Sequence, residues 1–279
     1  CGLSTEMVRV VLDDLFGALT EAALHQLLEA ELGDARRLDA FCLNKNGRGR
    51  TRAFGPRLMT QILPGNTLGV SVVSLVLGLL VKSANLMRVS REEMMLTTLF
   101  AQSLKQHWPE GAETMAVLTW DKTHVELSKA AFQKADLVTV YGSDETIAAI
   151  RELIPPAKKA IFHGHKLSLG VIARECVCRD LAQKAAMDVA LYDQRGCLSP
   201  QVYYVESGGE MPPLDFARQV AEAVDVLSWK LPKGASRADE ASRIQQLRGT
   251  LPLKGGVVFQ SSHGVGWTVL YDPEPEFRL

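Results

Sequence analysis

The sequence lacks an apolar segment long enough to cross a bilayer, and it carries little excess charge of either sign. Its longest apolar run, LGVSVVSLVLGLLV at 68–81, has 14 residues, whereas a membrane-spanning helix needs about 20. The 31 basic and 32 acidic residues leave a net charge of −1, which favours neither nucleic acid nor an anionic membrane as the main partner. We therefore expect no membrane span and no nucleic-acid partner, and 68–81 is predicted to be a buried helix.

Cysteine is also scarce, with five residues at irregular intervals. An odd and irregular set predicts no disulfide framework and favours a reducing cytoplasm. Cys176 and Cys178 form a C-x-C pair near His163 and His165, but this spacing matches no standard zinc site. We therefore expect no metal.

After a helical N-terminal segment and a basic loop at 44–56, strand and helix patterns alternate. This alternation predicts an α/β fold with a mostly parallel sheet covered on both faces. The predicted strands are 58–63, 85–89, 114–120, 136–142 and 159–164, and the predicted helices between them are 68–83, 91–107, 123–134 and 144–153.

The pattern changes after about residue 165, where a long helix is predicted over 173–191. A strand at 200–207, helices at 213–228 and 236–247, and strands at 256–260 and 266–272 follow. We therefore predict an N-terminal helical segment at 1–50, a Rossmann-like domain at 51–165 and a second α/β domain at 166–279.

In a parallel sheet, ligands bind beyond the carboxyl ends of the strands. The Asn66 amide could donate to an oxyanion, although Pro-Gly-Asn is also ordinary turn chemistry. The helix start at Ser143 suits a phosphate, although no glycine-rich fingerprint is present. Arg88 could face a cofactor ribose or 2′-phosphate, or simply be solvated. The turns that carry these candidates are Pro64-Gly65-Asn66, Val89-Ser90 and Gly142-Ser143.

Cys197 stands in DQRGCLSPQ, between a predicted helix and a predicted strand. A turn exposes backbone N–H groups, which could hold an oxyanion beside a nucleophilic thiolate. A buried, inert cysteine is the alternative that the local sequence leaves open.

Four segments, taken together, resemble the LuxC-type acyl-CoA reductases of the aldehyde dehydrogenase superfamily, which supply fatty aldehyde for bacterial luminescence. The resemblance covers about residues 50–275 and implies an aldehyde dehydrogenase-like fold. The segments are PGNTLGVSVVSLVLGLLVKSANLMRVS, VYGSDETIAAIRE, FHGHKLSLGVI and DQRGCLSPQVYYVE.

The resemblance implies a site for NADPH and a thiol that accepts an acyl group. Ser143 would lie near the phosphates and Arg88 near the adenosine ribose. Cys197 would be acylated by fatty acyl-CoA or by an acyl-transfer partner protein, and hydride would reduce the thioester to aldehyde. Asn66 and the Cys197 N–H would hold the oxyanion. The matching cofactor-binding positions are Pro64, Gly65, Arg88, Ser90, Gly142 and Ser143.

The sequence departs from the superfamily pattern where hydrolytic members have a glutamate that activates water. The corresponding stretch, IFHGHKLSLG, has none, which suits an enzyme that releases its acyl group without water. Its general acid is open among His163, His165 and Lys166. Arg88 replaces the superfamily lysine, which favours NADPH over NADH.

The family members extend beyond both ends of this sequence. We therefore expect a part of a longer, homo-oligomeric protein whose catalytic domain is incomplete here. The alternatives are a reductase of short acyl-CoA or acyl phosphate, a non-redox acyl carrier, and a fragment in which Cys197 is structural.

Overall fold

A computed structural model describes residues 2–236 and 238–274. The chain forms two compact units. Unit 1 contains Leu12–His165, and unit 2 contains Gly2–Val11 together with the described residues from Lys166 onwards. Within the part that the structure describes, no helix combines the length and apolarity needed to cross a membrane.

Unit 1 begins with helices, a small hairpin and then regular strand–helix alternation. Thr20 caps the second helix by accepting from the Ala23 N–H at 3.2 Å. The helices are α1 (Thr5–Ala18, shared with unit 2), α2 (Glu21–Leu32), α3 (Val70–Leu80), α4 (Met94–His107), α5 (Pro109–Ala112), α6 (Val125–Lys134) and α7 (Asp144–Arg151). The strands are β1 (Cys42–Leu43), β2 (Arg50–Thr51), β3 (Leu58–Ile62), β4 (Ala84–Arg88), β5 (Met115–Leu118), β6 (Leu137–Tyr141) and β7 (Lys159–His163).

The five later strands of unit 1 form one parallel sheet in the order β5-β4-β3-β6-β7. The chain runs outward from β3 through β4 to β5, and then returns to the other side of β3 with β6. The order therefore reverses between β3 and β6. In open parallel sheets, such a reversal leaves a crevice at the carboxyl ends of the two strands.

Each face of this sheet has its own apolar core. On one face, Phe132 of α6 is fully buried among Val138, Val140 and Ile147. The residues buried on the other face are Leu63, Leu75, Met87 and Val89, against which Phe100 and Leu104 of α4 pack. Because helices cover both faces at the centre of the sheet, most residues of the central strands β3, β4 and β6 are apolar.

A polar pair nevertheless lies inside the sheet, beneath α3. The Gln61 Nε2 of β3 donates to the Asn85 Oδ1 of β4 at 2.7 Å and to the Ser74 carbonyl oxygen at 3.3 Å. The Ser74 hydroxyl donates to the Gln61 Oε1, and the Asn85 Nδ2 donates to the Ser83 carbonyl oxygen at 2.8 Å. Each of the four side-chain amide atoms of Gln61 and Asn85 thus has a hydrogen-bonding partner, which is the condition for burying such groups without a large penalty.

Unit 2 packs two long helices on a short parallel sheet. Ala182 and Ala186 of the first helix and Phe216 and Val220 of the second are buried together. The helices are α8 (Arg179–Ala190), α9 (Pro213–Lys230) and α10 (Ala238–Thr250). The strands are β8 (Ser168–Ile172) with β9 (Pro200–Val205), which are parallel, and β10 (Val257–Gln260) with β11 (Thr268–Tyr271), which are antiparallel.

The predicted α/β class with a parallel sheet is confirmed, as are all five predicted strands of that sheet. In unit 2, one predicted boundary is wrong and one strand was missed. The helix predicted over 173–191 begins only at Arg179, and no prediction covers strand β8. The backbone of Cys178 is extended, with φ −149° and ψ 169°, so the C-x-C pair precedes the helix. In unit 1, the basic loop predicted at 44–56 contains the short strand β2.

Candidate active site

The structure brings the predicted turns of unit 1 to one edge of the sheet. Pro64-Gly65-Asn66 follows β3, Val89-Ser90 follows β4, and Gly142-Ser143 follows β6. Because β4 and β6 flank β3, the three turns are neighbours at the carboxyl edge, and the first and third lie on either side of the crevice between β3 and β6. Residues far apart in the sequence therefore form one candidate binding edge.

Gly65 packs tightly against the turn after β4. A Cβ atom at this position would lie 2.4 Å from the Ser90 Oγ and 2.8 Å from the Glu92 Oε2. The pKa of Glu92 is lowered by a hydrogen bond from its own backbone N–H and by another from Ser90. A side chain here would have to displace the side chains of Ser90 and Glu92, so Gly65 lets the two turns approach closely.

Arg88 lines a cleft of about 320 Å³ at the carboxyl ends of β4 and β5. Its Nε and Nη2 atoms donate to the Trp120 carbonyl oxygen at 3.2 and 3.0 Å. These bonds hold the guanidinium group at the wall of the cleft. The residues that line the cleft are Arg88, Ser90, Arg91, Glu92, Thr119, Trp120 and Asp121.

Ser143 is the N-cap of α7, and its Oγ accepts from the Thr146 N–H at 3.3 Å. The helix therefore starts at the residue that the sequence predicted. Its first turn also contains Asp144 and Glu145. A hydrogen bond from Ser143 lowers the pKa of Glu145, so this carboxylate is ionised at neutral pH. A phosphate at this helix start would rely on Ser143 and backbone N–H groups, against the charge of two carboxylates.

Asn66 is exposed in its turn, and the segment after it is anchored by a buried glutamate. The Oε2 atom of Glu93 accepts from the Ser71 Oγ at 2.9 Å and from the Gly69 N–H at 3.4 Å. Among the described residues, none bonds its Oε1. Burial raises the pKa of Glu93, although the bonds from Ser71 and Gly69 oppose the rise.

The candidate general acids divide between the units. The His163 ring, at the end of β7, stacks on Tyr141 with 4.3 Å between ring centroids, and the His163 carbonyl accepts from the Gly142 N–H at 3.2 Å. His163 therefore supports the β6 turn. His165 and Lys166 are both exposed. His165 is the last residue of unit 1, and Lys166 begins the second segment of unit 2.

In unit 2, Cys197 lies at the tip of a β-turn and its thiol is exposed. The turn is closed by the Ser199 N–H, which donates to the Gly196 carbonyl oxygen at 3.0 Å. The Ser168 hydroxyl donates to the Cys197 carbonyl oxygen at 2.7 Å. No group in residues 2–236 and 238–274 accepts a hydrogen bond from the Cys197 N–H. A thiol next to an unpaired N–H is an arrangement that nucleophilic attack and oxyanion binding require.

Three consecutive non-glycine residues just before this turn have left-handed backbone conformations. The φ angles are 58° at Tyr192, 51° at Asp193 and 61° at Gln194. Such conformations are unfavourable for residues with a side chain, and strained residues of this kind cluster at active sites and ligand-binding segments. The sequence contains no glycine at these positions and so did not indicate them.

Sequence reasoning also missed Trp120, Glu93 and Ser168. Trp120 is the last residue of the predicted strand 114–120, so the same carboxyl-edge rule identifies it. Glu93 and Ser168 act through backbone groups of other segments, which no local pattern indicates. The C-x-C pair is exposed, and no group of three or more His, Cys, Asp or Glu residues within the described ranges is placed to hold a metal ion.

A family model described as acyl-CoA reductase (LuxC) matches residues 1–277. The chain belongs to the LuxC family. A long-chain acyl-protein thioester reductase from Aliivibrio fischeri is 25% identical over 281 residues, covering 99% of this chain and 57% of the relative. One from Photorhabdus luminescens is 26% identical over 245 residues, covering 86% of this chain and 50% of the relative. The chain therefore spans about half the length of these curated relatives.

Solved aldehyde dehydrogenases share the fold of this LuxC-family chain. A putative methylmalonate-semialdehyde dehydrogenase from Sinorhizobium meliloti has a TM-score of 0.62 at 12% identity, over 94% of this chain and 61% of that one. A glyceraldehyde-3-phosphate dehydrogenase from Methanocaldococcus jannaschii has a TM-score of 0.60 at 14% identity, over 79% and 50%. The predicted aldehyde dehydrogenase-like fold is confirmed.

Proposed function

We propose that the full-length protein reduces a long-chain fatty acyl thioester to the aldehyde, through an acyl group carried on Cys197. The observation that supports this most is the exposed Cys197 thiol at the tip of a braced turn, in a chain of the LuxC family. The relatives' names, long-chain acyl-protein thioester reductase, favour an acyl-protein as the physiological donor, with fatty acyl-CoA as a soluble equivalent.

In the first step, the Cys197 thiolate attacks the carbonyl carbon of the donor thioester. The carbon–sulfur bond to the donor breaks, the donor leaves as a thiolate, and the acyl group is held as a Cys197 thioester. The Cys197 N–H, which lacks an acceptor in the described residues, donates to the oxyanion that forms. On the strength of the sequence resemblance, Asn66 is proposed as a second donor.

The carboxyl edge of unit 1 has features that fit a nicotinamide cofactor. Arg88 and Trp120 line the cleft, where a guanidinium group suits a 2′-phosphate and favours NADPH over NADH. Ser90 and the close approach at Gly65 form the adjacent wall, and Gly142-Ser143 would hold the phosphates. When bound, such a cofactor supplies the hydride that brings the acyl carbon to the aldehyde level.

The same residues serve the release of product. The oxyanion at the reduced carbon is held by the Cys197 N–H until the carbonyl re-forms and the bond to Sγ breaks. This releases aldehyde and restores the thiolate. No glutamate stands at the position where hydrolytic relatives activate water, so the thioester persists until it is reduced. A homo-oligomer and an acyl-transfer partner remain predictions from the resemblance.

The test is intact-mass spectrometry of the full-length protein after mixing with tetradecanoyl-CoA, with and without NADPH. We expect a tetradecanoyl adduct on Cys197 that disappears on addition of NADPH as tetradecanal appears. Cys197→Ser should abolish this sequence. Cys178→Ser, which removes another exposed thiol of unit 2, should leave it unchanged.

The other outcomes identify the alternatives. A stable adduct that is indifferent to NADPH would contradict the reductase and favour a non-redox acyl carrier. An adduct only with short acyl-CoA or acyl phosphate would replace the long-chain substrate. The absence of any adduct would show that Cys197 is structural.

A further inference from the structure

We propose that Ser168 is a positioning residue for the Cys197 nucleophile, acting through the Cys197 carbonyl group. The proposal deepens the reductase function above and rests on it. Ser168 touches neither the thiol nor the acyl carbon. Its role is to keep the turn in the one conformation that presents both the thiol and the neighbouring N–H.

The segment before the thiol needs such support because its backbone is unfavourable. Tyr192, Asp193 and Gln194 all have positive φ, and side-chain-bearing residues leave this region unless neighbouring groups hold them. The Asp193 Oδ2 accepts from the Gly234 N–H at 3.1 Å, which anchors the middle of the run. A relaxed run would change the direction in which the following turn points.

Two glutamine amides brace the flanks of the turn. The Gln194 Nε2 donates to the Pro200 carbonyl oxygen at 2.8 Å. The Gln201 Nε2 donates to the carbonyl oxygens of Gln194 and Ser199, both at 3.3 Å. These bonds join residues on either side of the turn, but none of them reaches Cys197.

At the tip, Ser168 is the one side chain in the described residues that bonds the Cys197 backbone, at 2.7 Å. The bond fixes the peptide on the C-terminal side of Cys197 and leaves the N–H on the other side available. Removing it would let the tip rotate, so that the thiol and the N–H no longer point together.

The origin of this bond lies in the β8–β9 ladder. Ser168 is paired with Pro200, and the register shifts between Ser168 and Leu169. Proline has no N–H to donate, so the backbone ladder is incomplete where β8 begins. The Ser168 hydroxyl instead donates to the carbonyl oxygen of Cys197, which lies in the turn three residues before Pro200.

The experiment compares Ser168→Ala with Ser168→Thr, which keeps a hydroxyl. Ser228→Ala is the matched control, because the Ser228 hydroxyl also bonds a carbonyl oxygen in unit 2, that of Asp225 at 2.6 Å. In the full-length protein, the rate constant of Cys197 acylation by tetradecanoyl-CoA is measured in a single turnover. Cys197 alkylation by iodoacetamide is measured separately, with exposed Cys178 as an internal reference.

We expect Ser168→Ala to slow acylation by roughly 3- to 10-fold, the effect of losing one hydrogen bond. Ser168→Thr should restore most of the rate, and Ser228→Ala should match wild type. The ratio of Cys197 to Cys178 alkylation should change at least about threefold in Ser168→Ala alone. Because this ratio is internal to each variant, differences in protein amount and reagent concentration cancel.

The outcomes separate the two proposals. If wild type is acylated and Ser168→Ala is acylated at the same rate, the role of Ser168 is overturned while the proposed reductase function is retained. No wild-type adduct would overturn the reductase, and the alkylation ratio would then decide whether Ser168 positions the thiol. A threonine variant as slow as the alanine variant would also contradict the hydroxyl's role.

Discussion

Glu93 shows how one buried side chain can make the stability of this chain depend on pH. Its carboxyl is fully buried, and burial raises its pKa above the ordinary value of 4.5. The folded chain therefore holds this proton at pH values where the unfolded chain releases it. Stability falls as pH rises from about 4.5 through the raised pKa, because ionisation in the folded state is penalised.

Replacing the carboxyl by an amide removes this titration. We expect Glu93→Gln to lose less unfolding free energy than wild type as pH rises from 4 to 8. Urea denaturation across that range measures the difference. Glu113→Gln, an exposed carboxyl outside this network, is the control. Parallel pH profiles for wild type and Glu93→Gln would show that the group does not titrate as described.

Gly78 of α3 lies directly over the buried amide pair. A Cβ atom here would stand 2.0 Å from the Asn85 Oδ1, so Gly78→Ala must displace Asn85 from Gln61. Overpacking of this kind costs about 1–3 kcal/mol. Gly249→Ala in α10, where a Cβ meets nothing within 4 Å, should instead gain up to about 1 kcal/mol from helix propensity. Urea midpoints for the two variants should therefore move in opposite directions.

At the scale of elements, helix α7 combines a structural cap with a proposed phosphate site. Ser143→Ala removes the cap and should cost about 1 kcal/mol. Ser143→Asp keeps a cap but adds a third carboxylate to the first turn. We therefore expect Ser143→Asp to retain the urea midpoint of wild type while the full-length protein binds NADPH more weakly in fluorescence titration. If both variants bound NADPH as wild type does, the helix start would not contact the phosphates.

The elements of unit 1 could be predicted because two signals coincide there. Its strands are short apolar runs, and each is followed by turn residues and a helix pattern. The order of the strands was not predictable from these patterns, because pairing depends on contacts across the whole sheet. The carboxyl-edge rule nevertheless identified the turns that contain Asn66, Ser90 and Ser143, since it requires only that the strands be parallel.

Unit 2 was less predictable for reasons that its sequence explains. Strand β8, SLGVI, contains a glycine, which weakens a strand pattern. Apolar residues around Cys176 continue the helical spacing of α8 backwards, although the chain is extended at Cys178. The contact between Ser168 and Cys197 joins residues that are 29 positions apart in the sequence, and no local pattern indicates it.

At the scale of the whole molecule, each unit has a core of its own. Phe132 is buried only among residues of unit 1, and Phe216 only among residues of unit 2. Truncating a buried phenylalanine costs about 3–5 kcal/mol through lost contacts and the cavity left behind. The damage should be greatest in the unit that holds the residue.

Hydrogen exchange with mass spectrometry tests this expectation. Phe132→Ala should raise amide exchange most in β6 and α6, and Phe216→Ala most in α8 and α9. Leu127→Ala and Trp229→Ala, exposed residues of α6 and α9, are the matched controls and should leave exchange near wild type. Equal loss of protection throughout the chain in either core variant would indicate a single cooperative unit.

The buried amide pair has a consequence for the binding edge that lies above it. Gln61 and Asn85 set the height of β3 against β4, and a slip of one residue would shift their ends by about 3.3 Å. That distance is comparable to the length of a hydrogen bond. By fixing the register of β3 against β4, the amide pair therefore also fixes the spacing between the Asn66 turn and the Arg88 cleft. The positions of the ligand-binding turns at the carboxyl edge thus depend on two amides that are buried inside the sheet, away from any ligand.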